Sequence, residues 1–209
     1  PCGQSSDAYS KNTDGSGHCF SCNKHFPAEG ENIIGTKLKN YKSPDGTLDY
    51  YQHRGISLTT FRHYGVQAKF VDDNPVEVGF IYPNKAVKIR LLSEKKFWSE
   101  GPMRDAGLFG KDKFDPGSKR TITITEGEYD ALAVYEMTGG NTAAVSIKSA
   151  SSAKADCVKV WEYINSFDKI ILCLDNDEPG KKAAADIVSL FDFHKVYQCK
   201  FHKHKDANE

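Results

Sequence analysis

The chain has 209 residues, in which 28 Lys or Arg balance 28 Asp or Glu, and 39% of its residues are hydrophobic. A mean hydropathy of −0.56 is that of a soluble globular protein, and no apolar run is long enough to span a bilayer as a helix. Zero net charge removes any global attraction to nucleic acid, so such affinity has to come from local charge.

The length holds one medium domain plus a small one. The opening Pro1-Cys-Gly-Gln-Ser-Ser lacks the basic and apolar regions of a secretory signal. With no initiator Met, a trimmed chain is expected. Three of the six cysteines, Cys2, Cys19 and Cys22, crowd the N-terminus. Cys19-x₂-Cys22 is the second half of a Cys₄ zinc ribbon, and Cys2 the last cysteine of its first half. The fourth ligand of that pattern falls two residues before Pro1, with His18 and His25 as alternatives inside the chain. A polar segment of this size has no core of its own, which favours a Zn²⁺ staple. Its Lys11, Asn12, His18, Phe20, Lys24, His25 and Phe26 are the groups that stack on and hydrogen-bond to unstacked bases. A purely structural knuckle is the alternative. Asp14-Gly-Ser-Gly17 reads as a hairpin turn. Residues 1–28 are therefore taken as the ribbon, and 29–42, polar and without periodicity, as a linker.

A second, basic, mixed α+β subdomain is expected over 43–120. Ser57 can cap a short helix carrying Phe61 and Tyr64 and ending at Gly65. Val76–Tyr82 and Ala86–Leu91 read as strands around a turn at Pro83-Asn84-Lys85. Between Lys85 and Arg120 stand ten Lys or Arg against five Asp or Glu. Lys88 and Arg90 alternate with Val87, Ile89 and Leu91, which predicts both on the solvent face of a strand. With Lys95, Lys96, Phe97 and Trp98 they form a ridge suited to phosphates and stacked bases.

Residues 121–209 alternate strand and helix patterns: strands at 121–125, 143–147, 170–174 and 195–201, helices at 129–138, 153–165 and 180–191. That order argues a parallel sheet covered on both faces. Thr121–Thr125 runs into Glu126-Gly127-Glu128-Tyr129-Asp130, and Ile170–Leu174 into Asp175-Asn176-Asp177-Glu178-Pro179-Gly180. Acids just past strand ends lie where open α/β sheets place ligands. If the two ends are neighbours, Glu126, Asp175 and Asp177 lie close together. Like charges about 5 Å apart repel by roughly 3 kcal/mol at an effective dielectric of about 20. Such a cluster protonates, recruits Lys or Arg, or binds a hard cation, and its size suits Mg²⁺. Either run alone is also what a solvated helix start looks like. Cys157, Cys173 and Cys199 sit singly in apolar patterns and read as core cysteines of a reducing compartment. His194–Lys205 forms a basic rim ahead of Asp206. No Walker A motif occurs, so this chain is not expected to be an NTP-driven motor.

Glu126-Gly-Glu-Tyr-Asp-Ala-Leu132, Leu174-Asp-Asn-Asp-Glu-Pro-Gly-Lys-Lys-Ala183 and Lys205-Asp-Ala-Asn-Glu209, in this order, resemble the successive motifs of a TOPRIM domain. They are most similar to the primase half of bacteriophage primase–helicases, relatives of the DnaG primases and of Twinkle. Arg54-Gly-Ile-Ser57 resembles the start of the primase polymerase domain, and Ala106-Gly-Leu-Phe-Gly-Lys111 its nucleotide- or template-contacting loop, with Lys111 the implied phosphate ligand. Ile147–Ser152 departs from the family pattern, being shorter and without Gly.

The resemblance implies a ribbon, a basic subdomain and a TOPRIM α/β domain (121–209). It implies RNA primer synthesis on single-stranded DNA from ribonucleoside triphosphates, in the host-cell cytoplasm. Two Mg²⁺ or Mn²⁺ ions would sit on Glu126, Asp175 and Asp177, with Asp206 nearby. Lys88, Arg90, Lys95, Lys96 and Lys111 would hold template and triphosphate. A replicative helicase, fused or associated, and a DNA polymerase are the implied protein partners. The alternatives are a non-catalytic zinc/TOPRIM recombination mediator, where the two motifs lie closer together, and a TOPRIM nuclease, which would not need the ribbon.

Overall fold

A computed structural model describes residues 42–201 and 204–208, with the backbone of Tyr9–Lys11 (β1), Gly17–Cys19 (β2) and Lys24–Phe26 (β3). The chain divides into two compact units, Pro1–Pro44 and Asp45–Glu209. In the first, β1, β2 and β3 form an antiparallel sheet in that order, with Tyr9 opposite Cys19 and His18 opposite His25. Consecutive antiparallel β1 and β2 agree with the expected hairpin. Cys2 and Cys22 lie outside the described residues.

The second unit opens with Thr47–Asp49 (β4) and the helix Leu58–Tyr64 (α1). The predicted caps are present: the Ser57 side chain accepts from Thr60 N–H, and Gly65 takes the left-handed conformation at φ 70°. An antiparallel sheet follows, ordered β4, β5 (Gln67–Val71), β6 (Asn74–Ile81), β7 (Val87–Leu91), β8 (Phe97–Glu100). One prediction about it is corrected. Phe80 pairs with Lys88 and Val78 with Arg90, so these four side chains share a face, and Phe80 and Val78 are core residues. Lys88 and Arg90 thus extend the inner face. The alternation was read properly, but its polar side faces another part of the protein instead of solvent.

The rest is a four-stranded, all-parallel sheet ordered β10 (Ala143–Ser146), β9 (Thr121–Thr125), β11 (Lys169–Cys173), β12 (Val196–Gln198). Its crossovers are α2 (Glu128–Met137), the pair α3 (Ala153–Lys159) and α4 (Trp161–Asn165), and α5 (Glu178–Val188). The expected single helix over 153–165 breaks at Val160, at φ −123° and ψ 28°. Beyond the break Trp161 donates its indole N–H to the Leu190 carbonyl. Cys157 and Cys173 are buried free thiols as expected, whereas Cys199 is exposed, just past the short edge strand β12. Among the described residues no helix is long and apolar enough to cross a membrane.

One continuous core joins the two sheets. Ile56, Phe61, Tyr64, Phe80 and Tyr82 from the antiparallel half pack with Phe109, Ile122, Ile124 and Leu132. Two polar contacts fix the junction. The Tyr64 hydroxyl donates to the Ala144 carbonyl at 2.7 Å inside the core. Glu136 on α2 accepts from the Ser57 hydroxyl at 2.8 Å, from the Ser57 N–H at 3.3 Å and from the Thr60 hydroxyl. These bonds, that from Thr60 first, hold the Glu136 carboxyl below its ordinary range. A depressed carboxyl stabilises the fold above its unfolded value and loses that contribution as pH falls through the folded one. Replacing Glu136 by Gln is expected to cost about 1 kcal/mol at neutral pH and to flatten the fall in stability between about pH 5 and 3. Urea melts across that range measure both. Tyr64→Phe leaves the Ala144 carbonyl buried without its donor, an expected loss of about 1–3 kcal/mol in the same assay.

Candidate functional site

The site forms where β9 and β11 end side by side. Their register places Cys173 opposite Thr125, so the next residues, Glu126 and Leu174-Asp175, leave the sheet together. Gly127 turns the chain into α2 and carries no Cβ because one would lie 2.6 Å from Asp130 Oδ2. A Cβ at Gly180 would meet the Asp175 carbonyl oxygen at 2.1 Å. These two glycines let Asp130 and Asp175 come in beside their own turns. Asp177 caps α5, accepting from Gly180 N–H at 3.0 Å.

Five acids line one cleft of about 400 Å³: Glu126, Glu128, Asp130, Asp175 and Asp206. Asn208 N–H donates to both Asp130 Oδ1, at 3.1 Å, and Asp206 Oδ1, at 3.0 Å. Burial and then the charges of Asp206 and Asp175 push the Asp130 carboxyl up to about 7. Burial and the Asp175 charge raise Glu126 as well. Glu126 Oε2 is buried without a hydrogen-bond partner. An orphaned carboxylate oxygen among acids that raise one another is a group that a hard cation would coordinate. Among the described residues no three Cys, His, Asp or Glu side chains converge on one ion position. Instead the Lys205 ammonium lies 3.0 Å from Asp175 Oδ2 and 3.5 Å from Asp177 Oδ2.

The same cleft is also lined by basic side chains, those of Arg54, Lys88, Arg90 and Lys95. Lys88 Nζ bonds both oxygens of buried Glu128, at 2.8 and 3.1 Å, and Glu128 also accepts from the Tyr82 hydroxyl at 2.5 Å. Arg90 lies over Phe97 and Tyr129, with Cζ 5.3 and 5.4 Å from the ring centroids, and Arg54 over Tyr129 at 4.5 Å. The Tyr129 hydroxyl is fixed by His53 Nε2 at 2.6 Å. Two guanidinium groups are thus held against aromatic faces beside the acids.

Of the residues singled out from sequence, Glu126, Asp175, Asp206, Lys88, Arg90 and Lys95 line the cleft. Asp177 is tied to it through Lys205. Lys96 pairs with Glu94 at 2.5 Å. Lys111 lines a separate depression with Trp161 and Tyr163, its ammonium 4.9 Å from the Tyr163 ring centroid. Lys148, in the loop that departs from the family pattern, pairs with buried Asp156 at 2.9 Å and accepts from Lys88 through its carbonyl. Sequence reasoning passed over Glu128, Asp130, Arg54 and the pairing role of Lys205. The spacing Glu126, Glu128, Asp130 was the available signal, three acids at alternate positions across a strand-to-helix turn.

Comparison with known proteins places the chain in a family. Residues 123–209 match the Toprim-like family. The primase fragment of the bacteriophage T7 primase-helicase protein is similar at 32% identity and a TM-score of 0.68, over 100% of this chain and 91% of that one. A structure of the T7 lagging-strand DNA polymerase interacting with primase domains, bound to an RNA/DNA hybrid and dTTP, is 31% identical with a TM-score of 0.66. That match covers 78% of this chain and 85% of the other. The DNA helicase/primase of Enterobacteria phage T3 is 32% identical over 100% of this chain, which spans 39% of the phage protein's length. Identity at this level across nearly all of the T7 primase fragment, together with the acids at the ends of β9 and β11, shows that the chain belongs to the TOPRIM primases of the phage primase–helicase type.

Proposed function

We propose that the chain is a DNA primase, a nucleotidyltransferase that joins ribonucleotides into short primers on single-stranded DNA during replication. The observation that carries this reading is a single cleft lined both by the acids Glu126, Asp130, Asp175 and Asp206 and by the bases Arg54, Lys88, Arg90 and Lys95. A triphosphate and a template strand both need cations along their phosphates, and an in-line displacement needs charge neutralised at the reacting phosphorus. Mg²⁺ or Mn²⁺, when bound, supplies that neutralisation and activates the primer-end hydroxyl. Glu126, Asp175 and Asp177 are the residues we assign to hold it, with Asp130 and Asp206 beside them. Arg54 and Arg90 hold phosphates, with Tyr129 and Phe97 fixing their planes. Lys88 keeps the basic strand in place through Glu128, and Lys95 extends the charged track. Lys111, which lies outside the cleft, we assign to a phosphate contact.

In the N-terminal segment we assign Cys2, Cys19 and Cys22 to a Zn²⁺ ion, with the surrounding aromatic and basic residues reading template bases. The phage relative joins primase to helicase in one protein, and the T7 assembly couples primase domains to a DNA polymerase. A helicase and a polymerase are therefore the proposed partners, and the host cytoplasm the proposed location.

With single-stranded DNA, Mg²⁺ and labelled ribonucleotides, short RNA products are expected from the wild type. Asp175→Ala should reduce them by roughly 10²-fold or more while DNA binding persists. DNA cleavage without ribonucleotide consumption would instead establish a nuclease, and binding with neither reaction a non-catalytic mediator. Arg90→Ala is expected to weaken binding to all DNA sequences alike, and to reduce the slope of log affinity against log salt by about 1. Fluorescence anisotropy across a salt series reads both effects.

A further inference from the structure

We infer that Lys205 is a built-in counter-cation of the acidic site, one that a divalent metal has to displace. The inference rests on the assignment of Asp175 and Asp177 as metal-holding residues. The Lys205 ammonium stands between their carboxylates, at 3.0 and 3.5 Å, a place that an ion bridging them would have to take. Two positive groups cannot share it, because like charges at such separations repel by several kcal/mol even at a high effective dielectric.

The backbone beneath Lys205 is fixed while its side chain has somewhere to go. Its carbonyl accepts from Asn176 N–H at 3.0 Å, in the same turn that carries Asp175 and Asp177. Three residues on, Asn208 is tied to Asp130 and Asp206 through its N–H, and to Arg54, whose guanidinium donates to Asn208 Oδ1 at 2.8 Å. The lysine side chain itself remains 48% exposed, so its head can leave for water without desolvation or loss of the strand of chain behind it.

The charge balance gives the direction of exchange. One ammonium serves two carboxylates and leaves Glu126 Oε2 unpartnered. A divalent ion brings twice the charge and, unlike the ammonium, can take Glu126 as a ligand. Lys205 therefore has two opposing effects. It holds the acids together when metal is absent, and it lowers the apparent affinity for metal by requiring its own departure.

The test uses Mn²⁺ alone, without nucleotide or DNA, titrated into the full chain and followed by electron paramagnetic resonance. Lys205→Met keeps the length of the side chain and removes its charge. It is expected to bind Mn²⁺ on the order of threefold to tenfold more tightly than wild type. Its melting temperature should be lower than that of wild type without metal and equal to it at saturating Mn²⁺. Lys205→Arg, which keeps the charge, is expected to stay near the wild-type affinity. Should the Met variant fail to fold, the wild type alone decides. Acetylation of Lys205, read by mass spectrometry, is expected to rise when Mn²⁺ is added, and unchanged acetylation overturns the inference. Equal or weaker Mn²⁺ binding by a folded Met variant overturns it while leaving the metal assignment intact. Absence of Mn²⁺ binding in both proteins overturns the inference and the metal assignment together.

Discussion

The in-register parallel pairing of β9 with β11 is the constraint on which the cleft depends. Parallel neighbours end on the same side of a sheet, so the residues that follow them emerge together. Here those residues are Glu126 and Asp175, with Thr125 and Cys173 as the last paired positions. A slip of one residue would turn every side chain of one strand to the other face and bury an acid in the sheet. The apolar side chains of Ile122, Ile124, Ile170 and Leu172, all fully buried, penalise that slip. Packing of plain aliphatic residues thereby holds together charges that repel.

Repulsion stored in this way has to be offset, and the surroundings do so in two different manners. Glu128 is compensated inside the fold by Lys88 and Tyr82, and because it is buried, removing Lys88 would leave an uncompensated charge. That contact joins the two sheets, so the basic strand and the acidic turn are positioned by one interaction. Around Asp130, Asp175 and Asp206, one backbone N–H reaches Asp130 and Asp206, and Lys205 pairs with Asp175. Repulsion among neighbouring acids is the physical basis of the cation site proposed here. The first group is structural and the second is the proposed site, although Glu128 and Asp130 belong to one run of sequence.

The aromatic residues of the basic wall do similar work. Tyr129, one position from Glu128 and Asp130, presents its face to Arg54 and Arg90 and its hydroxyl to His53. A guanidinium held over a ring has fewer rotamers left to lose on meeting an anion than one waving in solvent. Arg54 comes from the turn before α1, Arg90 from the antiparallel sheet and Tyr129 from the first turn of α2. Their meeting is a property of the shared core.

Much of this was legible in the chain itself. Ile-Thr alternation and the buried Ile-Ile-Leu run identify strands, and an acid followed by glycine marks each strand-to-helix turn. Ser57 and Gly65 announce their helix, because capping is a local matter of one hydroxyl and one left-handed residue. The acids Glu126, Asp175 and Asp206 were readable for the same reason, since each sits where a strand or segment ends. What the chain could not show was partner choice. Lys88 and Arg90 read as solvent-facing because alternation reveals that a strand has two faces, not what each one meets. Asp130, Arg54 and Lys205 gained their places through neighbours 75 or more residues away or through a turn on another strand. Lys111, grouped by sequence with the phosphate ligands, lies over Tyr163. Local periodicity and capping are written residue by residue and so were determined by sequence. The pairing of charges across a cleft is set by long-range packing, and only the tertiary structure decided it.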